Sequence, residues 1–438
     1  MVWVLVILTA VLGLYMAWSI GANDVANSMG CAVGSRSITI KRAIIAAGIC
    51  DFAGAVLVGS HVTQTVRNGI VSTDALRAIP GASEAEVAAL LVLGMASALL
   101  AAALCVHVAT WWGMPVSTTH AIVASVEGFG VVAAGWRAVY WSKMVDIVAS
   151  WFISPVVGGV LAFVFFKLIS RFILRKEKPF VAARRHTPIV AFATAVVVTL
   201  ATLYNGLGNI IKDVSWLTGP VAIGLSVTTG LIVALVSRRL FVRAWSQDGS
   251  APLGDQLERV ERMFAPLVIA TSCSVAFAHG ANDVANAVGP LAAVVHIVTT
   301  GTIQMRVPVP LWILVLGGVG IVVGLATFGY RVLYTVGEKI TQITPSRAVA
   351  ASLATSITVL VCSKMGLPVS TSHTVVGAVL GIGLARGLGA VNRDVTREIF
   401  GSWLVTLPVS AVLSLVLFLL GRAFLLGPLT RHIAALGG

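Results

Sequence analysis

"GANDVANSMG", residues 21–30, follows twenty uncharged and mostly apolar residues. A run of that length is enough to cross a hydrocarbon core of about 30 Å as a helix. The motif then puts Asn23, Asp24 and Asn27 where lipid would be. It returns as "GANDVANAVGP" at 280–290, carrying Asn282, Asp283 and Asn286. A lone carboxylate in lipid costs at least about 2.5 kcal/mol on insertion scales. Asp24 and Asp283 are therefore expected to face protein or a cavity, and the chain needs that solution twice.

Composition supports the membrane setting. Of 438 residues, 58% are hydrophobic and 11% charged, too little polar surface for a soluble chain of this length. Apolar runs fall at about 1–33, 43–60, 87–110, 115–135, 146–170, 188–206, 219–237, 263–299, 308–330, 347–364, 367–385 and 399–426. They do not alternate as barrel strands would. The fold class is an all-α polytopic membrane protein of about twelve segments, with the lipid bilayer as its medium. The net charge of +13 sits in basic loops, as the positive-inside rule expects, so nucleic acid is not an expected partner. Cys31, Cys50, Cys105, Cys273 and Cys362 lie singly and are read as packing residues, with no resident metal and no disulfide framework. No basic stretch precedes the first run, so a cleaved signal is not expected and the first helix is retained.

Charge orients the runs. The segments 171–187 and 238–262 are rich in Lys and Arg and are expected to be cytoplasmic loops, with two connecting helices at 188–237 between them. Counting outward places both termini outside the cell (inner) membrane, with a short tail at 427–438. "GMPVSTTH" (113–120) recurs as "GLPVSTSH" (366–373), and "SWFISP" (150–155) has a looser echo in "SWLVTLP" (402–408). The marks recur in the same order, so the chain reads as duplicated, 1–170 against 263–426. Five spans per copy make the repeat inverted, a signature of many secondary transporters.

The motifs have chemistry. Gly21 and Gly280 permit the backbone to leave helical geometry, and Asn and Asp compete for backbone bonds, so each motif is expected to break its helix. The oxygens of Asn23, Asp24, Asn27, Asn282, Asp283 and Asn286 suit a small hard cation, or a proton on the aspartate. Pro115 and Pro368 are expected to stop one helix or begin another, Pro being favoured at the first helical position. Ser117, Thr118 and Thr119, with Ser370, Thr371 and Ser372, then stand at helix N-termini, which attract anions without Lys or Arg. Two opposed tips would suit a tetrahedral oxyanion. Asp51, His120, Glu127 and His373 are accessory candidates because ionisable groups inside a membrane tend to be functional. His61, Lys212 and Asp213 read as loop or interface residues, and Glu261 as an interfacial charge within reach of Arg259 or Arg262. Ser117 and His120 at i, i+3 also raise an intramembrane hydrolase, which two matched halves disfavour.

GANDVAN twice, each followed by PVST[TS]H, resembles the inorganic phosphate transporter (PiT) family. "ERVERMFAPLVIATSCSVAFAHGANDVANAVGPLAAV" (258–294) is the most recognisable stretch. The resemblance implies sodium- or proton-coupled uptake of inorganic phosphate, no enzymatic cofactor, two inverted repeats, and a homodimer. It implies that the Asn and Asp residues serve the cation and the hydroxyls serve phosphate. It also implies helical hairpins rather than simple spans at 115–135 and 367–385. Ser372 replaces the usual Thr and keeps the hydroxyl, and Asp51 stands where Glu is commoner. The rivals are a carrier for another oxyanion such as sulfate or arsenate, and an anion channel.

Overall fold

Backbone polar groups in a bilayer must be satisfied within the chain, which leaves the helix as the local answer for apolar runs of this length. A computed structural model describes residues 2–59, 70–203, 219–244, 251–304, 309–335, 340–365 and 369–437. Each of the twelve apolar runs carries a helix. They are α1 (Val2–Gly34), α2 (Ile40–Val58), α4 (Glu84–Trp111), α5 (Thr118–Ala134), α6 (Trp141–Ile169), α7 (Pro179–Ala201), α8 (Gly219–Ala244), α9 (Leu253–Thr300), α10 (Leu311–Thr327), α12 (Pro345–Lys364), α13 (Thr371–Arg386) and α14 (Arg393–Gly437). Among the described residues two single-turn helices, α3 (Thr73–Arg77) and α11 (Tyr330–Tyr334), complete the α-helices. Among the described residues the only β pairing is an isolated bridge between Val71 and Val139. Phe152 and Val156 on α6, Ile223 and Leu235 on α8, and Leu404 and Phe424 on α14 are exposed large apolar residues. Such a surface is stable against lipid tails and makes this a multi-pass membrane protein.

Three expectations are corrected. The GANDVAN motifs do not break their helices, because α1 and α9 run unbroken through both. Their glycines serve packing instead. A Cβ on Gly21 would overlap the Ile321 carbonyl, and one on Gly324 the Trp18 carbonyl, so α1 and α10 touch backbone to backbone. Gly280 meets the Asp51 carbonyl and Gly54 the Phe277 carbonyl in the same way, between α9 and α2. In lipid, helix association rests on such close packing between small residues. Second, helix reaches into both basic segments. In the first, a π-helical turn at Ser170–Leu174 is followed by a short turn at 175–178 and then α7, and the second is helical as far as Ala244 and again from Leu253. The tail at 427–438 likewise extends α14 to Gly437. Third, Arg262 pairs with Glu258, and Glu261 ties two helices together. Its oxygens accept from the Ser346 backbone N–H at 2.7 Å and its hydroxyl at 2.8 Å, tying the start of α12 to α9.

α4 and α5 fold back on each other, with Gly94 against the ring of Phe129. The open end of this hairpin is closed by Ser72 N–H donating to the Ala138 carbonyl at 2.7 Å and Tyr140 N–H to Ile70 at 3.0 Å. α12 and α13 repeat the arrangement, with Asn392 N–H donating to Ile340 at 3.0 Å. Each second hairpin helix packs on a distant helix through glycine. Gly128 of α5 meets the Ala411 carbonyl of α14, and Gly381 of α13 meets the Gly159 carbonyl of α6. α5 and α13 have 17 and 16 residues, about 25 Å at 1.5 Å per residue. Both begin in the protein interior, where their first turns meet the motif helices.

Candidate ion and oxyanion site

The sequence before α5 and α13 sets up the tips. Ser117 and Ser370 have extended backbone, with φ of −90° and −84°, which ends the incoming chain and starts the helix. Each is an N-cap. Ser117 Oγ accepts from the His120 N–H at 3.1 Å, and Ser370 Oγ from the His373 N–H at 3.2 Å. Pro115 lies between the end of α4 and the start of α5, two residues before the cap rather than at the first helical position. Pro368, like His61, Lys212 and Asp213, lies outside the described residues. The N–H groups of Thr118, Thr119, Thr371 and Ser372 fall in first turns, where no intrahelical acceptor exists. They carry the positive ends of two helix dipoles.

The tips face each other across the motif helices. Ser372 Oγ donates to the Val116 carbonyl at 3.0 Å, and Thr119 Oγ1 to the Val369 carbonyl at 3.3 Å. Each tip thus bonds the chain leading into the other. Thr118 Oγ1 donates to Asp24 Oδ2 at 2.9 Å, and Thr371 Oγ1 to Asp283 Oδ2 at 2.7 Å. Ser372 Oγ also reaches Asp24 Oδ1 at 2.8 Å. Asn27 Nδ2 donates to Asp24 Oδ1 at 2.6 Å and bonds Ser372 Oγ at 2.7 Å, while Asn286 Nδ2 donates to Thr119 Oγ1 at 3.2 Å. The Asn27 Oδ1 atom is buried with no hydrogen-bond partner. Asn23 is a strut of the α4–α5 turn. Its amide donates to Thr110 Oγ1 at 2.8 Å and the Met114 carbonyl at 3.0 Å, and accepts from the Val116 N–H at 3.1 Å. Asn282 ties to the Val369 carbonyl at 3.0 Å and to Asp283 Oδ1 at 2.5 Å.

One residue missing from the sequence reading sits at the centre. His279, wholly buried on α9, turns Nδ1 to Asp51 Oδ1 at 2.7 Å. Its Nε2 faces Asp283 Oδ2 at 3.2 Å and Asp24 Oδ2 at 3.8 Å. Asp24, Asp51 and Asp283 are at most 1% exposed. Among the described residues their only ion-pair partner is His279. Three ionised carboxylates against one imidazole would leave at least two negative charges without a partner, even were the ring charged. Unpaired buried charge is costly, and a bound cation or a proton removes it. The signal was there to find: His279 precedes Gly280 by one residue and stands four before Asp283, hence on the same helical face.

The other accessory candidates fall elsewhere. His120 and His373 meet edge to face with ring centroids 4.4 Å apart, His120 tilted against Trp151 at 3.8 Å and His373 stacked on Trp403 at 3.6 Å. No hydroxyl meets the His120 ring nitrogens, and Ser117 bonds a backbone N–H, so the hydrolase pairing is absent. Glu127 lies nine residues along α5 from Thr118, roughly 13 Å away at helical rise, half-buried beside the close approach of Gly128 to α14.

Comparison with known proteins agrees in one direction. The phosphate transporter family model matches residues 20–414. A Pyrococcus abyssi protein named a phosphate permease is 44% identical over 413 residues, covering 94% of this chain and 96% of its own. The chloroplastic inorganic phosphate transporter 2-1 of Arabidopsis thaliana is 39% identical over 432 residues, 93% of this chain and 70% of that protein. A solved structure described as the sodium-dependent phosphate transporter is similar, with a TM-score of 0.84 and 40% identity. That likeness covers 96% of this chain and 100% of the other.

Proposed function

The chain belongs to the phosphate transporter family, a family of transporters and not enzymes, and from that premise we propose that it is a cation-coupled symporter of inorganic phosphate. The observation that carries the coupling is the surplus of buried carboxylate beside two opposed helix N-termini. Asp24 with Asn27, and Asp283 with Asn286, form two cation seats, and the N–H groups and hydroxyls of Ser117–Thr119 and Ser370–Ser372 receive phosphate. Sodium is the preferred ion. The donors offered are oxygens, which suit a hard cation, and the 40%-identical solved relative is described as sodium-dependent. Protons remain the alternative.

Electrostatics supply the order of events. Two unit charges 4 Å apart at an effective dielectric near 20 interact by about 4 kcal/mol. Empty, the aspartates repel phosphate by a term of that size; with a cation at each, its sign reverses. Cation and anion therefore favour each other's binding reciprocally. Coupling rests on this linkage: phosphate binds once the cations are seated, and phosphate without them meets bare carboxylate charge. The hydroxyls of Thr118 and Thr371 now donate to the carboxylates, and turning toward phosphate is open to them once cations replace that bond. We take 1–170 and 263–426 as two inverted repeats, each with a re-entrant hairpin, in a homodimer in the cell membrane with both termini outside. The crossed contacts of α1 with α10 and α9 with α2 support the inversion.

The test is uptake of radiolabelled phosphate into proteoliposomes under imposed sodium or proton gradients. The reading expects accumulation above equilibrium that an ionophore collapses, with arsenate competing and sulfate competing weakly. Flux that only equilibrates, or sulfate preferred to phosphate, overturns it.

A further inference from the structure

The two motif copies differ at one crossing. Gly21 packs on the carbonyl of Ile321 as Gly280 packs on the carbonyl of Asp51. The residue before Gly21 is Ile20, and the residue before Gly280 is His279. An equivalent helix crossing is thus made once with two isoleucines and once with histidine and aspartate. Packing does not require the polar pair, so the pair needs another reason.

Its geometry supplies one. With the proton on Nδ1, His279 donates to Asp51 at 2.7 Å. A neutral ring then presents a bare lone pair at Nε2. That atom is buried and makes no hydrogen bond. It points at Asp283 Oδ2, 3.2 Å away, and Asp24 Oδ2, 3.8 Å away. Three such acceptors, all within 4.8 Å of one another, repel unless a proton or a metal ion lies between them. Donors bound about 2.1 Å from one ion stand roughly 3 to 3.5 Å apart, which the 3.2 Å pair matches and the 3.8 Å pair slightly exceeds. A histidine that ligates through one nitrogen while giving its other N–H to a carboxylate is the usual outer-shell arrangement of metal sites. One imidazole with two carboxylates suits divalent transition metals rather than sodium.

We propose that Asp24 Oδ2, Asp283 Oδ2 and His279 Nε2 bind one divalent transition-metal ion, with Asp51 as the positioning residue that fixes the imidazole. The isoleucines of the other copy forbid a second such site, so the stoichiometry is one per chain. The two carboxylates are those of the proposed sodium seats, so metal and sodium compete. The proposal thereby rests on the site of the transport reading but needs no transport to be tested.

The experiment is titration of the purified full chain in detergent with cobalt(II) chloride, free of sodium and phosphate, read by visible absorbance and calorimetry. One Co²⁺ per chain is expected, displaced by high sodium. His279→Ala removes it, Asp51→Asn weakens it about tenfold or more, and His432→Ala, near the end of α14, leaves it unchanged. Size-exclusion elution checks each variant's fold, and Asp51→Asn decides if His279→Ala does not fold. No stoichiometric Co²⁺ in the unaltered protein, or binding undiminished in the folded variants, overturns the site. Cobalt binding in a protein that carries no phosphate would sink the transport reading alone; phosphate uptake without cobalt binding would sink this site alone.

Discussion

Thr118 and Thr371 hold the two signature carboxylates with one hydroxyl each. Thr118→Val keeps the volume and removes the donor. An acceptor left short inside the protein costs about 1–3 kcal/mol. The expected outcome is a lower thermal midpoint in detergent, and an unchanged midpoint would show that the bond contributes nothing. Asp24→Asn and Asp283→Asn keep an oxygen for those hydroxyls and remove the charge. Both variants are expected to fold, by elution profile, and to lose gradient-driven phosphate uptake. The signature residues themselves were legible from the sequence, because charge in an apolar run stands out and the string is written twice. His279 was legible only as a neighbour of Asp283 on one helical face; its partner Asp51 is 228 residues away, a contact only the fold creates. The hydroxyls were legible as helix-tip donors, but not that the tips bond each other.

At the scale of the element, glycine decides how helices meet. The sequence suggests that Gly21 and Gly280 loosen the backbone, because flexibility and close packing use the same residue. The structure distinguishes them: the helices are intact, and a neighbouring carbonyl fills the place of the missing Cβ. Gly21→Ala and Gly280→Ala force two backbones apart. Overpacking of this kind costs about 1–3 kcal/mol or more, and the expected readout is aggregation or a large loss of thermal stability. Gly254→Ala, with nothing near its Cβ, should be neutral on the same measurement. The tips depend on their caps in a smaller way. Ser117→Ala removes the acceptor for the His120 N–H and should cost about 1 kcal/mol of stability. Helix positions were readable because twenty-residue apolar runs have one answer in lipid. Helix ends were not: helix reaches into both basic stretches, since charge marks the side of a membrane and not the end of an element.

At the scale of the whole molecule, the motif helices each lie against the helix that follows the other motif, so neither half contains a complete site. Asp24 is bonded by Thr118 from the first half and by Ser372 from the second. Rocking of one half against the other would open that site to either side. The proposed inversion predicts that both termini share a face. With the native thiols replaced, cysteines at positions 3 and 436 should both react with an impermeant maleimide applied outside intact cells; protection of either one contradicts the orientation. The order of the repeats was visible in the recurring motifs, while the crossed packing was not, because sequence fixes which residues recur and not which copies touch. The central claim is that cations at the buried carboxylates make room for phosphate, and phosphate binding to the purified protein tests it most directly. Calorimetry with and without saturating sodium should show the phosphate Kd falling at least about tenfold, a coupling of about 1.4 kcal/mol. Asp24→Asn should abolish the difference. A phosphate Kd indifferent to both sodium and acidification would contradict the account.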